Sequence, residues 1–176
     1  MFDCQKNFQM ILQELKKGSR PQIKLTQEEI DQLNKQMGEA IETLKDMTQV
    51  EQVLCILEFS RPLSDKYLAN LLKLMNKKDL PQEILIHLLM VTHKHIIQLY
   101  QQKGEKLPRE YRQRIQEMLY EYKDEGLLWV VKTVDAMGAQ GRMFYNDLQK
   151  IQPRGLFHWK AQTRELKTLI QQIIKN

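Results

Sequence analysis

Helical stretches of two kinds alternate between residues 27 and 137, and this alternation limits what the chain can fold into. One kind carries a single apolar stripe, and the other is apolar on almost every side. A helix that is apolar all round must be covered all round, and amphipathic neighbours supply that cover. The stripes recur about every 40 residues, a spacing typical of helical repeat arrays, so the pattern predicts an all-α fold of stacked helix pairs. Striped segments begin near Gln27, Asp65 and Pro108, and apolar segments begin near Gln49, Pro81 and Leu127.

Over residues 27–151, the helix pairing and its approximate period resemble HEAT and armadillo repeats. The resemblance implies a right-handed stack of antiparallel helix pairs, an α-solenoid of about eight helices. A compact multi-helix bundle fits the same pattern, and both arrangements stay open. Because no repeat consensus maps onto the chain residue by residue, the resemblance concerns the fold and assigns no functional residue.

Length and composition favour one globular domain. A chain of 176 residues can bury a core, and a content of 42% hydrophobic and 28% charged residues is far from that of disordered chains. We therefore expect a single all-helical domain over residues 1–176. Within it, residues 1–25 form an N-terminal helix and linker, residues 26–151 form the helix-pair array, and residues 152–176 form a capping helix.

Capping residues and glycines predict where individual helices begin and end. Thr26 and Thr48 each open a Thr-x-x-Glu capping box, in which the hydroxyl and the carboxylate satisfy backbone N–H groups of the first turn. Gly18, Gly104 and Gly126 are expected to end helices, because glycine readily adopts the left-handed conformation that follows a last turn.

Three further segments complete the helical prediction. The longest helix is expected to run from Pro81 to Gln102. Residues 127–137 are rich in β-branched side chains and could form a buried strand, but a strand without a partner is implausible, so we expect a helix. The last helix has an apolar seam that either packs on the array as a cap, which we favour, or stays open for a partner such as a second copy of the chain. The seam comprises Leu166, Leu169, Ile170, Ile173 and Ile174.

The sequence argues against membrane insertion and secretion. Its longest apolar run, residues 84–91, falls far short of the roughly 20 residues that a membrane-spanning helix needs. The N-terminal residues lack the apolar core of a secretory signal, so we expect a cytoplasmic protein. Cys4 and Cys55 occupy apolar positions of predicted helices, which indicates buried thiols rather than a disulfide or a nucleophile.

Three histidines on one predicted helix suggest a metal site, but their spacing is unfavourable. At about 100° per residue, His93 and His95 project in nearly opposite directions. Glu83 and His87 share a face, yet two ligands do not make a tight site. We therefore expect no bound metal.

Enzymatic motifs are also missing from the sequence. It has no glycine-rich phosphate loop after a strand, no Gly-x-Ser-x-Gly, no His-Glu-x-x-His and no zinc-type cysteine pairing. Pairs of carboxylates fall at helix starts and turns, where capping explains them. We expect a protein without catalytic residues and without a cofactor.

Positive charge is concentrated toward the C-terminus. Residues 1–60 have a net charge of −3, residues 61–125 of +3, and residues 126–176 of +5. Between residues 142 and 164, basic side chains alternate with aromatic ones that either pack in the core or contact a ligand. Arginine and lysine pair with phosphate or carboxylate, and aromatics beside them can stack on a base or anchor an interface. The candidate binding surface consists of Arg142, Lys150, Arg154, His158, Trp159, Lys160 and Arg164.

These features predict a non-enzymatic protein-protein interaction module, an adaptor whose helical surface engages another protein. A stacked-helix scaffold presents an extended face and needs no chemical site for this purpose. The alternative is a nucleic-acid-binding domain that uses the basic C-terminal third, with steep dependence on salt. The sequence leaves the partner and the oligomeric state open.

Overall fold

The fold is all-α, as predicted. The structure, a computed structural model, describes residues 2–43, 47–78, 80–151 and 161–175. These four ranges contain nine helices when the consecutive helical segments between residues 82 and 103 are counted as one. The α-helical segments are α1 (Cys4–Lys16), α2 (Gln27–Thr43), α3 (Met47–Phe59), α4 (Leu68–Met75), α5 (Gln82–Thr92), α6 (Leu99–Lys103), α7 (Arg109–Glu121), α8 (Asp124–Ala136), α9 (Tyr145–Ile151) and α10 (Ala161–Lys175).

Shorter elements link some of these helices. A 3₁₀ turn at Asp65–Tyr67 leads into α4, and a second at Gly138–Phe144 leads into α9. A π-helical segment, His93–Gln98, follows α5. Two short strands, β1 (Ile23–Lys24) and β2 (Ser60–Arg61), complete the elements. None of the helices in the described ranges is both long enough and apolar enough to cross a membrane.

The chain divides into two compact units. The N-terminal unit comprises residues 1–99 and the C-terminal unit comprises residues 100–176. The single domain predicted from length, and the choice between solenoid and bundle, stay predictions.

In the N-terminal unit, α3 is the interior helix. It contacts α1, α2 and α5. Its residues from Val53 to Leu57 are all buried, and Leu54, Ile56 and Leu57 are fully inaccessible to solvent. This confirms that the apolar stretch after Gln49 is covered by its neighbours, as a helix without a polar face requires.

One of the two predicted capping boxes is confirmed and the other is displaced. The Thr26 amide donates to Oε2 of Glu29 at 2.8 Å, and the Glu29 amide donates to the Thr26 hydroxyl at 3.3 Å. Helix α3, however, begins at Met47, so Thr48 lies within its first turn and is not the N-cap. A capping motif permits a helix to start at its threonine but does not require it.

The predicted linker before Thr26 contains a short strand. β1 and β2 pair in parallel, with Ile23 opposite Ser60 and Lys24 opposite Arg61. The Leu25 amide extends the pairing by donating to the Arg61 carbonyl at 2.7 Å. The linker is thereby held against the residues that directly follow α3.

The predicted long helix from Pro81 to Gln102 is interrupted by the π-helical segment, whose His95 closes the end of α3. His95 is fully buried, and its Nε2 lies 2.9 Å from the Leu57 carbonyl. Its Nδ1 accepts from the Ser64 amide at 3.2 Å, and its ring packs edge-on against Tyr67. These contacts assign the proton to Nε2 and an acceptor role to Nδ1, which together describe a neutral imidazole.

We predict that His95 makes the protein sensitive to mild acid. Burial, partly opposed by the hydrogen bond to Leu57, lowers the pKa of His95 from 6.5 to about 4. The unfolded chain therefore binds this proton at a higher pH than the folded chain does. The stabilising contribution is present above about pH 6.5 and is lost as the pH falls toward 4, up to about 3 kcal/mol.

Urea unfolding at pH 7 and pH 4.5 measures this effect, with His95→Gln as the non-titrating comparison. We expect the wild-type free energy of unfolding to fall more steeply with acid than that of the variant. Parallel pH dependences would contradict the prediction.

In the C-terminal unit, α8 is the interior helix and contacts α7 and α10. The segment after Leu127 is thus a helix, as predicted, and Val130, Val131 and Val134 are fully buried. The predicted helix stop at Gly126 is wrong. Helix α7 already ends at Glu121, because Tyr122 and Lys123 adopt extended backbone conformations, and Gly126 is a buried residue of the first turn of α8.

The last helix packs within the C-terminal unit, which favours the capping alternative. α10 contacts α8 and α9. Leu166, Ile170 and Ile173 are buried, while Leu169 and Ile174 are partly exposed. The centre of the apolar seam is therefore already covered.

Two glycines in helical segments should respond in opposite ways to substitution by alanine. A Cβ on Gly141 would lie 2.5 Å from the Val134 carbonyl oxygen, whereas a Cβ on Gly38 would lie at an ordinary 3.5 Å from the Asn70 amide. We expect Gly141→Ala to lower the free energy of unfolding by about 1–3 kcal/mol, because backbone must shift. Gly38→Ala should raise it by up to about 1 kcal/mol through helix propensity. Urea denaturation measures the free energy of unfolding of both variants. Equal changes in the two variants would contradict the prediction that Gly141 has no room for a Cβ and Gly38 has.

Candidate protein-binding groove

A groove of about 590 Å³ lies beside α7 in the C-terminal unit. Six of its lining residues recur at intervals of three, one, three, one and three positions, which places them on a single face of α7. The opposite face of α7 holds Tyr111, Ile115 and Met118, all fully buried. The helix thus separates a core face from a groove face. The groove is lined by Arg109, Arg112, Gln113, Gln116, Glu117, Tyr120 and Met143.

Two large apolar side chains of the groove are open to solvent. Tyr120 is 52% exposed and Met143 is 51% exposed. Tyrosine, methionine and arginine are among the residues enriched in protein interfaces. The groove combines all three.

The Tyr120 ring is held in place at its tip. Its hydroxyl donates to Oδ1 of Asp147 on α9 at 2.5 Å, and Gln116 Nε2 donates to the other carboxylate oxygen at 2.9 Å. Asp147 itself is only 7% exposed. The hydrogen bond from its hydroxyl to Asp147 raises the pKa of Tyr120. The aromatic ring is therefore fixed before any ligand arrives, which lowers the entropy lost on binding.

Two arginines place positive charge at one end of the groove. Arg112 is oriented by two contacts, since its Nε donates to the Leu107 carbonyl at 3.0 Å and its Nη1 lies 3.6 Å from the Met143 sulfur. Arg109 is exposed, and within the described residues it forms no ion pair. Both guanidinium groups can therefore accept an anionic partner.

The one carboxylate in the groove lining is already paired. Glu117 accepts from Arg114 Nη1 at 3.1 Å, and Arg114 also forms a two-pronged contact with Glu121 at 2.7 and 2.5 Å. Arg114 is 7% exposed, and the hydrogen bonds to Glu121 raise its pKa. Arg114 is shared between Glu117 and Glu121, and Asp147 bonds to Gln116 and Tyr120, so the positive charge of the groove is local to Arg109 and Arg112.

The predicted binding surface is placed only in part. Arg142, Lys150 and Arg164 are described, and all three are exposed. Arg142 lines a separate pocket of about 240 Å³ with Tyr145 on α9. The predicted contacts Arg154, His158, Trp159 and Lys160 lie outside the described residues.

Of the neighbouring aromatics that left core and contact open, Phe144 belongs to the core, with 1% exposure. In the described part of this surface, the aromatic ring beside a charged side chain is therefore the partly exposed Tyr145, next to Arg142.

The three histidines after Glu83 are also dispersed. His95 lies in the core, and burial lowers the pKa of the half-buried His93. His87 Nδ1 lies 3.7 Å from Oε2 of Glu58. Among the described side chains, no group of three histidine, cysteine, aspartate or glutamate residues is arranged to hold a metal ion.

Sequence reasoning missed the groove because it followed the apolar face of α7. The signal was nevertheless present, since Tyr120 is an aromatic residue that falls on the polar face of an amphipathic helix. Its anchor, Asp147, lies 27 residues away and belongs to another helix, so no local pattern links the two.

Comparisons with protein-family models, curated proteins and solved structures found no match to this chain.

Proposed function

We propose that this protein is a non-enzymatic protein-binding module, an adaptor whose α7 groove receives a segment of another protein. The observation that carries the proposal is the Tyr120 ring, which is half exposed yet anchored to the buried Asp147. A rigid aromatic side chain offers a large contact area at low entropic cost. A half-exposed tyrosine that contributes only to folding would not need its hydroxyl bonded to a buried carboxylate.

Groove dimensions and charge indicate what the partner presents. From Arg109 to Tyr120 the helix rises about 16 Å, enough for about five residues of extended chain. The unpaired charges at Arg109 and Arg112 favour an acidic side chain, and the exposed Tyr120 and Met143 favour an apolar one next to it. We infer a short acidic and apolar segment, which a small module can bind without a large interface.

Selection from a displayed library of random peptides tests this proposal directly. We expect wild-type protein to enrich peptides that combine acidic and apolar residues. Affinities of the purified peptides are then measured with Tyr120→Ala/Met143→Ala, which should weaken binding more than tenfold because two exposed anchors are removed. Tyr120→Phe should weaken binding less, since it retains the ring but loses the bond to Asp147.

A matched control removes two exposed apolar side chains elsewhere. Met10 and Leu15 on α1 are 45% and 43% exposed, so Met10→Ala/Leu15→Ala deletes comparable surface. Its peptide affinities should equal those of the wild type. Two results would contradict the groove as a binding site. One is an equal loss of peptide affinity in both double variants, and the other is a selection that enriches no peptide.

Nucleic-acid binding is the second candidate, supported by the exposure of two C-terminal cations. Lys150 and Arg164 are exposed and form no ion pair among the described residues. If both contact phosphates, Lys150→Gln/Arg164→Gln should reduce the slope of log affinity against log salt by about 2. Fluorescence anisotropy with DNA and RNA between about 50 and 200 mM salt measures the slope. Lys6→Gln/Lys78→Gln is the control for net charge. If its slope of log affinity against log salt equals that of Lys150→Gln/Arg164→Gln, nucleic-acid binding through these two cations is rejected.

A further inference from the structure

Two positive side chains stand next to each other on the parallel strand pair of the N-terminal unit. Lys24 and Arg61 are register partners, and both are exposed. Their neighbours Ile23 and Ser60 are also partners, and both are buried. Because register partners share a face of the sheet, Lys24 and Arg61 project outward together from strands about 4.8 Å apart.

Lys94 contributes a third cation near this pair. Its Nζ donates to the Glu58 carbonyl at 2.6 Å and lies 3.4 Å from the Leu57 carbonyl, at the end of α3. An ammonium group has three N–H donors, so one remains for a ligand. Burial, with the charges of Arg61 and Arg20, lowers the pKa of Lys94 to about 8, and Glu58 acts in the opposite direction.

The cluster has little negative charge to balance it. Within the described residues, Arg20, Lys24 and Arg61 form no ion pair. Glu58 is the one carboxylate that acts on Lys94, and its side chain is 17% exposed and lies beside His87. Like charges on register partners destabilise a strand pair. Lys24 and Arg61 thus lie side by side, and neither forms an ion pair with a described carboxylate.

Folding alone does not require this many cations. A helix end needs positive charge near its last carbonyls, and Lys94 already occupies that position on α3. Lys24 and Arg61 point away from the core and cap nothing. An anion bound between Lys24 and Arg61 would interact favourably with both cations and would offset their like charges.

We propose that Lys24, Arg61 and Lys94 form a binding site for the phosphate group of a small phosphorylated ligand. A phosphate dianion offers two charges and several acceptor oxygens, which suit the fork of an arginine together with two ammonium groups. A carboxylate carries one charge and two oxygens, so it would offset less of the cluster's charge and accept fewer of its hydrogen bonds. A nucleic-acid backbone needs cations along a track, whereas these cations concentrate around one strand pair. This site lies in the N-terminal unit and is independent of the α7 groove.

Calorimetric titration of the full chain with inorganic pyrophosphate tests the site. We expect saturable one-to-one binding to the wild type and at least a tenfold loss of affinity in Lys24→Gln/Arg61→Gln. Both positions are exposed, so the fold should persist, and circular dichroism checks it. Lys24→Gln alone provides a milder variant with an intermediate loss. Lys6→Gln/Lys78→Gln removes the same net charge from exposed positions of the unit and should bind like the wild type.

Three outcomes would overturn the proposal. The first is the absence of saturable pyrophosphate binding to folded wild type. The second is an equal loss in the site variant and the charge control, which would mean general electrostatic attraction. The third is tighter binding of a single-stranded oligonucleotide that depends on Lys24 and Arg61, which would mean a backbone track and not a small-ligand site.

Discussion

The architecture of the N-terminal unit depends on how the carboxyl end of α3 is satisfied. Residues Val53 to Leu57 of this helix are buried, and its last carbonyls find hydrogen-bond donors within the protein. His95 and Lys94 supply them from the π-helical segment. These two residues are consecutive in the π-helical segment and contact the same helix end. The strand that leaves this end, β2, then pairs with β1, and that pairing puts Lys24 beside Arg61.

Features that depend on neighbouring residues could be predicted from the sequence. The Thr26 capping box acts within four residues, and the helical identity of the segment after Leu127 follows from its apolar length and the lack of a partner strand. The alternation of striped and apolar stretches also predicted which helices lie in the interior, because burial on all sides leaves a clear compositional signal.

Features that depend on distant residues could not be predicted. Gly126 reads as a helix stop, yet the break falls at Tyr122, where extended backbone ends α7 four residues earlier. The pairing of Ile23 with Ser60 joins segments 37 positions apart that carry no strand pattern of their own. The groove depends on the bond between Tyr120 and Asp147, two residues that sequence periodicity assigns to unrelated helices. The strand pairing and the Tyr120 hydrogen bond depend on tertiary contacts, whereas at Gly126 the local propensity points to the wrong residue.

Charge summed along the sequence is a poor guide to charge in space. The first sixty residues have a net charge of −3, which directed attention to the basic C-terminal third, yet Arg20 and Lys24 belong to this acidic segment. Strand pairing brings Lys24 beside Arg61, and the charges of Arg20 and Arg61 both act on Lys94. A ligand senses charges within about 10 Å, the screening length at 0.1 M salt, and is indifferent to their order in the chain. Lys24 belongs to a weakly acidic stretch of sequence, yet the two-residue strand pair places it on a positively charged surface beside Arg61.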